Sequence, residues 1–146
     1  MQKLIILRGV PGSGKSTLAR LLQGKMHNCV IVSADMFMTN ARGQYFFNPS
    51  RLKECHDRSK EAAETALRLG KSVIVDNTNI KLFEMRDYVK MSLMINSHIP
   101  IEILKVEGNF KSIHGVPVDK VESMKSAFEV YNSLKDILAS KAPWEV

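Results

Sequence analysis

The chain has 146 residues, 45% of them hydrophobic and 25% charged, which excludes a disordered or fibrous segment and predicts one globular domain with its own core. No apolar run approaches the roughly 20 residues of a membrane span, and the N-terminal apolar stretch of four or five residues resembles a secretory leader only superficially. A net charge of +6 and a pI of about 9.4 suit a polyanionic partner, although a single small anionic ligand and solubility could also account for the excess.

Leu4-Ile5-Ile6-Leu7 reads as a buried strand and leads into Gly9-Val10-Pro11-Gly12-Ser13-Gly14-Lys15-Ser16-Thr17, which fits the G-x-x-x-x-G-K-[ST] phosphate loop. Glycines allow the backbone to turn its N–H groups inward. The positive end of the helix that starts around Leu18 adds to the attraction for phosphate. Gly9, Pro11, Gly12, Ser13, Gly14, Lys15, Ser16 and Thr17 are therefore expected to cradle ATP. Lys15 would reach the β- and γ-phosphates, and the Ser16 hydroxyl would sit on Mg²⁺.

Cys29-Val30-Ile31-Val32-Ser33 predicts a second parallel strand covered on both faces, with Asp35 just past its carboxyl end. Thr39 to Asn48, with Tyr45, Phe46 and Phe47, reads as a loop crossing the active-site side. Asn48-Pro49 predicts a helix start, and Gly70 predicts its stop. The expected apolar stripe of that helix is Leu52, Cys55, Ala62, Ala66 and Leu69. Lys53, His56 and Lys60 share another of its faces, either solvated or bordering an acceptor. Ser72-Val73-Ile74-Val75-Asp76 predicts a third strand ending in an acid. Asn77-Thr78-Asn79 leads to a helix carrying Leu82, Met85, Val89 and Leu93, and Ile101 to Val106 forms the fourth strand. A loop spans Glu107 to Pro117, and a last amphipathic helix starts near Val118 with Val121, Met124, Phe128 and Tyr131 on one face. Cys29 and Cys55 show neither a disulfide framework nor zinc spacing, which suits a reducing cytoplasm.

Alternating strands and helices imply an α/β fold of the P-loop NTPase/kinase type, a parallel sheet of about four to five strands with helices on both faces. No N-K-x-D stretch is present to read guanine. The chain is also too short for the added subdomains of most motor ATPases. Phosphoryl transfer needs in-line positioning, charge neutralisation and an acceptor for the attacking hydroxyl's proton. Asp35 is the candidate for the last role. Asp76, ending an apolar strand, is the candidate for organising Mg²⁺.

Leu7 to Thr17, Ser33-Ala34-Asp35, Val75-Asp76-Asn77-Thr78-Asn79, Tyr45-x-Phe-x-Pro with Leu52 and His56, and His114-Gly115-Val116-Pro117 together resemble the polynucleotide-kinase branch of P-loop kinases. The likeness is to its small phage and NEDD4-binding-protein-like members and spans most of residues 4 to 131. It implies that Asp35 activates an acceptor hydroxyl on nucleic acid, DNA by preference. It also implies that Lys53, His56, Lys60, Asn77 and Asn79 border the acceptor. Two positions depart from the phage 5′-kinases: Met36, Phe37 and Met38 stand where an arginine would contact the acceptor phosphate, and lid arginines are missing. Lys111 is the cation left to act catalytically there. The default acceptor is a 5′-hydroxyl end. The alternatives are the hydroxymethyl group of a modified pyrimidine in phage DNA, a small metabolite, or no acceptor at all in a nucleotide-binding adaptor.

Overall fold

A computed structural model describes residues 1–108 and 116–145. Its centre is a sheet of four parallel strands: β1 (Leu4–Arg8), β2 (Cys29–Val32), β3 (Ser72–Asp76) and β4 (Ile101–Lys105), in the order β2-β3-β1-β4. All of β1 is buried, and its side chains alternate between two cores. Leu4 and Ile6 join one core; Ile5 and Leu7 join the other. Each such side chain is worth about 1.5–3 kcal/mol over its exposed state, which fixes the strand that carries the phosphate loop.

Helix α1 (Lys15–Lys25) covers the Ile5 and Leu7 face through Leu18, Ala19 and Leu22. The opposite face is covered by α2 (Leu52–Arg68), α3 (Leu82–Ile95) and α5 (Leu134–Ala139). Between α3 and α5 in chain order, apart from β4, lies α4 (Val118–Ser126), which has no buried residue among those described. The expected parallel sheet with helices on both faces is present. The punctuation signals also hold. Asn48 accepts a hydrogen bond from the Ser50 amide ahead of α2, and Gly70 follows the helix at φ 81°.

Three expectations need correction. Strand β2 lies at the sheet's edge and buries only Val32 fully, because β3 rather than β2 pairs with β1. The buried face of α2 runs through Cys55, Ser59, Ala63, Ala66 and Leu67, leaving Leu52 and Leu69 exposed. The last amphipathic helix stops at Ser126, so Phe128 and Tyr131 lie outside it. The segment after α4 is instead held beside the C-terminal end of β1 by one backbone and one side-chain hydrogen bond: the Glu129 amide donates to Ile80 O at 3.0 Å, and the Arg8 guanidinium donates to Glu129 O at 2.8 Å. A continued helix would forfeit both.

Candidate nucleotide and acceptor site

The phosphate loop turns between β1 and α1. Gly12 (φ 84°) and Gly14 (φ 97°) adopt the left-handed conformation that other residues rarely tolerate. Gly9 has no room for a side chain, since a Cβ there would meet Ser13 Oγ at 2.5 Å and Val106 O at 2.8 Å. The Ser13 amide closes the turn on Val10 O at 3.1 Å, while its hydroxyl is buried without a hydrogen-bond partner among the described residues. No acidic residue and no side-chain cap occupies the first turn of α1. The amides of this turn are therefore left for an anion. Pro11, Lys15, Ser16 and Thr17 all belong to this turn and the helix start, with Ser16 and Thr17 exposed.

Strand order brings the carboxylates to the loop. Asp76 ends β3 opposite Leu7 of β1, and its Oδ2 accepts the Ser16 hydroxyl at 2.8 Å. Asp35 opens a 3-10 turn (Asp35–Phe37) just beyond β2 and is exposed. Lys15 lies over the loop with Nζ 3.4 Å from Val10 O. Burial lowers its ammonium below the ordinary lysine value, and the charges of Asp76 and then Asp35 oppose that effect. Loop lysine and both acids are thus one electrostatic group, as their placement at strand ends predicts.

The expected acceptor residues divide. His56 is half-buried; burial pulls its imidazole below the usual value, against the opposing fields of Glu84 and, more weakly, Asp35. It therefore borders the Asp35 side. Lys60 is tied to Asp87 of α3 at 2.8 Å, and exposed Lys53 to Asp57 at 2.7 Å. The side chains of the two asparagines hydrogen-bond within the fold. Asn79 is 1% exposed at φ 48°, and its Nδ2 donates to Leu7 O at 2.8 Å. Asn77 is buried, and its Oδ1 accepts the Ala34 amide at 2.8 Å, holding the residue before Asp35. Behind it Tyr88 lies 2.7 Å from Ser59 Oγ and 3.5 Å from Asn77 Nδ2. The backbone geometry that sets Asp35 is thus anchored in the core by Asn77. Lys111 and His114 fall outside the described residues.

Sequence reasoning missed Arg8. Although charged, it is 4% exposed. Its Nε donates to Asn79 O and its Nη2 to Ile80 O and Glu129 O, each at 2.8 Å. The guanidinium also stacks on Phe128 at 5.3 Å and Tyr131 at 5.8 Å from the ring centroids. The available signal was a lone charge ending an apolar strand.

The comparisons with known proteins agree with this geometry. A family model described as an AAA domain matches residues 4–108. The chain belongs to the AAA-domain family. Human NEDD4-binding protein 2 is 34% identical over 98% of this chain, which spans only 8% of that protein. Rat 2′,3′-cyclic-nucleotide 3′-phosphodiesterase is 37% identical over 63% of the chain, equal to 23% of its own length. Among solved structures, a chain of the Pnkp1/Rnl/Hen1 complex superposes with a TM-score of 0.59 at 22% identity, covering 99% of this chain and 44% of that one. This last likeness concerns the fold. Among the described residues, no helix of this AAA-domain chain is long and apolar enough to cross a membrane.

Proposed function

We propose that this protein transfers the γ-phosphoryl group of ATP to a hydroxyl on nucleic acid, by default the 5′-hydroxyl of a DNA or RNA strand end. The observation that carries the reading is that Asp76 accepts the hydroxyl of loop Ser16 at 2.8 Å while the charges of Asp76 and Asp35 both act on Lys15. In this reading the loop amides and Lys15 hold the β- and γ-phosphates. Asp35 takes the proton of the incoming hydroxyl, whose oxygen bonds to the γ-phosphorus as the bond to the β-phosphate oxygen breaks and ADP leaves.

The Ser16 hydroxyl and the Asp76 carboxylate, 2.8 Å apart, are the hard oxygen donors that Mg²⁺ prefers, which fits an ion bound there. Such an ion would neutralise phosphate charge. Lys111 would supply the further cation that lid arginines supply in the kinases this chain resembles.

A second reading is supported by the flank of Asp35. Met36 is exposed there, and Met38 is buried against Cys55 of α2, so neither offers a cation to an end phosphate. An acceptor hydroxyl carried on a base, such as a hydroxymethylpyrimidine within DNA, has no end phosphate to be read.

A panel with γ-labelled ATP tests both readings. It comprises 5′-hydroxyl oligonucleotide, the same oligonucleotide blocked by a 5′-phosphate, hydroxymethyl-base DNA, nucleosides, and no acceptor. Label in the unblocked oligonucleotide alone is the expected result. Label that requires the modified base selects the second reading, and hydrolysis without transfer to any nucleic acid overturns both.

A further inference from the structure

Residues 38–46 form a small hairpin beside Asp35. The Asn40 amide donates to Gln44 O at 2.8 Å and the Phe46 amide to Met38 O at 3.0 Å, so Thr39 and Tyr45 face each other as a non-hydrogen-bonded pair. The hairpin is fixed at both ends. Asn40 Oδ1 accepts the Arg42 and Gln44 amides at its tip, and Arg51 donates to Thr39 O at 2.7 Å and Phe37 O at 3.0 Å at its base. Met38 and Phe46 share one face, with Met38 buried. Tyr45 lies on the other face, and Phe47 follows it at the two-residue spacing of an extended chain. Tyr45 is 39% exposed and Phe47 48%, and Met36 beside Asp35 is 50% exposed. The Asp35–Phe37 turn runs directly into the hairpin, with the Met38 amide donating to Asp35 O at 3.1 Å, and burial and then the charge of Asp35 raise the Tyr45 phenol above its ordinary value.

A hairpin that leaves Tyr45, Phe47 and the Met36 thioether open to water beside the acid, with Phe46 61% exposed on its other face, marks a binding surface. The chain carries net charge +6, and Arg42 is exposed at the hairpin tip, so the surroundings suit a phosphate backbone. We infer that Tyr45, Phe47 and Met36 form a ledge on which an unpaired nucleobase of the acceptor strand stacks, presenting that nucleotide's hydroxyl to Asp35. The inference rests on the nucleic-acid reading above and names the form of its substrate: a single-stranded or frayed nucleotide held by its base. Stacking needs a π-face and not a particular base, so this recognition is sequence-tolerant.

The test separates stacking from transfer. A single-stranded oligonucleotide carrying 2-aminopurine at the acceptor nucleotide is titrated into Asp35→Asn protein, in DNA and RNA forms and as a blunt duplex. Quenching of the single-stranded probe, its loss in the Phe47→Ala and Tyr45→Ala forms, and its retention in Tyr45→Phe are expected. In turnover, Phe47→Ala should raise KM for single-stranded acceptor about ten- to hundredfold with kcat little changed. An abasic acceptor nucleotide should remove the difference from wild type. Phe46→Ala, on the opposite face, should leave KM within about twofold. No quenching, equal quenching of the duplex, or the same KM change from Phe46→Ala as from Phe47→Ala overturns the ledge. Failure of the ATP panel with quenching intact overturns the transfer reaction and leaves the ledge standing.

Discussion

Replacing Arg8 with Met tests the reading of the buried guanidinium as the tie between β1, the turn before α3 and the segment after α4. Methionine keeps the apolar stem but removes all three hydrogen bonds. Asn79 O is left buried without a donor, which costs about 1–3 kcal/mol. Ile80 O and Glu129 O are part-buried, so water recovers much of their loss. The rings of Phe128 and Tyr131 lose a cation, worth about 0.5–2 kcal/mol between them. Relief from burying a charge offsets part of this sum. A net loss of about 2–4 kcal/mol remains, equivalent to a fall in Tm of roughly 5–15 °C for a chain of this size. Urea unfolding followed by circular dichroism reads it directly. A loss below about 1 kcal/mol would refute the tie, and Arg8→Lys should recover little because an ammonium cannot reproduce the planar fork.

Further predictions concern the site and the core. Asp35→Asn should lower turnover about 10²–10⁴-fold and leave ATP affinity within about threefold, measured by label transfer and by nucleotide titration. Asn77→Ala frees the Ala34 amide and should reduce kcat about tenfold with KM for ATP unchanged; an unaltered kcat would show that Asp35 is positioned without it. Lys111→Ala should lower turnover strongly, and an effect below about twofold would place the transition-state cation elsewhere. Tyr88 is pushed up to about 12, chiefly by burial. Between pH 10 and 12 the unfolded tyrosine releases a proton that the folded one keeps, so stability falls as pH rises, by about 2–3 kcal/mol over that window. Tyr88→Phe should remove that alkaline slope from the urea midpoint.

The parts of the fold that were legible in the sequence are those set by local chemistry. Gly12, Gly14 and Gly70 occupy backbone conformations that favour glycine, and Asn48 with Pro49 starts a helix by its own side chain and ring. The carboxylates were legible because acids that end apolar strands must emerge at the sheet's edge. What stayed hidden depends on contacts between distant residues. Asn77 and Asn79 look like ligands in a linear reading, yet their amides meet Ala34 and Leu7, 43 and 72 residues away in sequence. The interruption after Ser126 is invisible in the helical spacing of Val121, Met124, Phe128 and Tyr131, since its cause is Arg8, 121 residues from Glu129. The C-terminal clasp, in which Arg86 grips Glu145 at 2.6 Å and Phe83 meets Trp144 edge-on, likewise has no local signature.

Among the described residues, nothing pairs with the outer side of β4. Peptide groups along that rim are a template on which another polypeptide could add a strand and begin to aggregate. Glu102 and Lys105 stand on this strand, and Lys3 reaches Glu102 at 3.5 Å, so the rim carries charge that an incoming apolar strand would have to desolvate. These side chains act as gatekeepers against self-association. Exchanging both for valine would strengthen the strand's intrinsic preference and make concentrated solutions of the protein prone to precipitate.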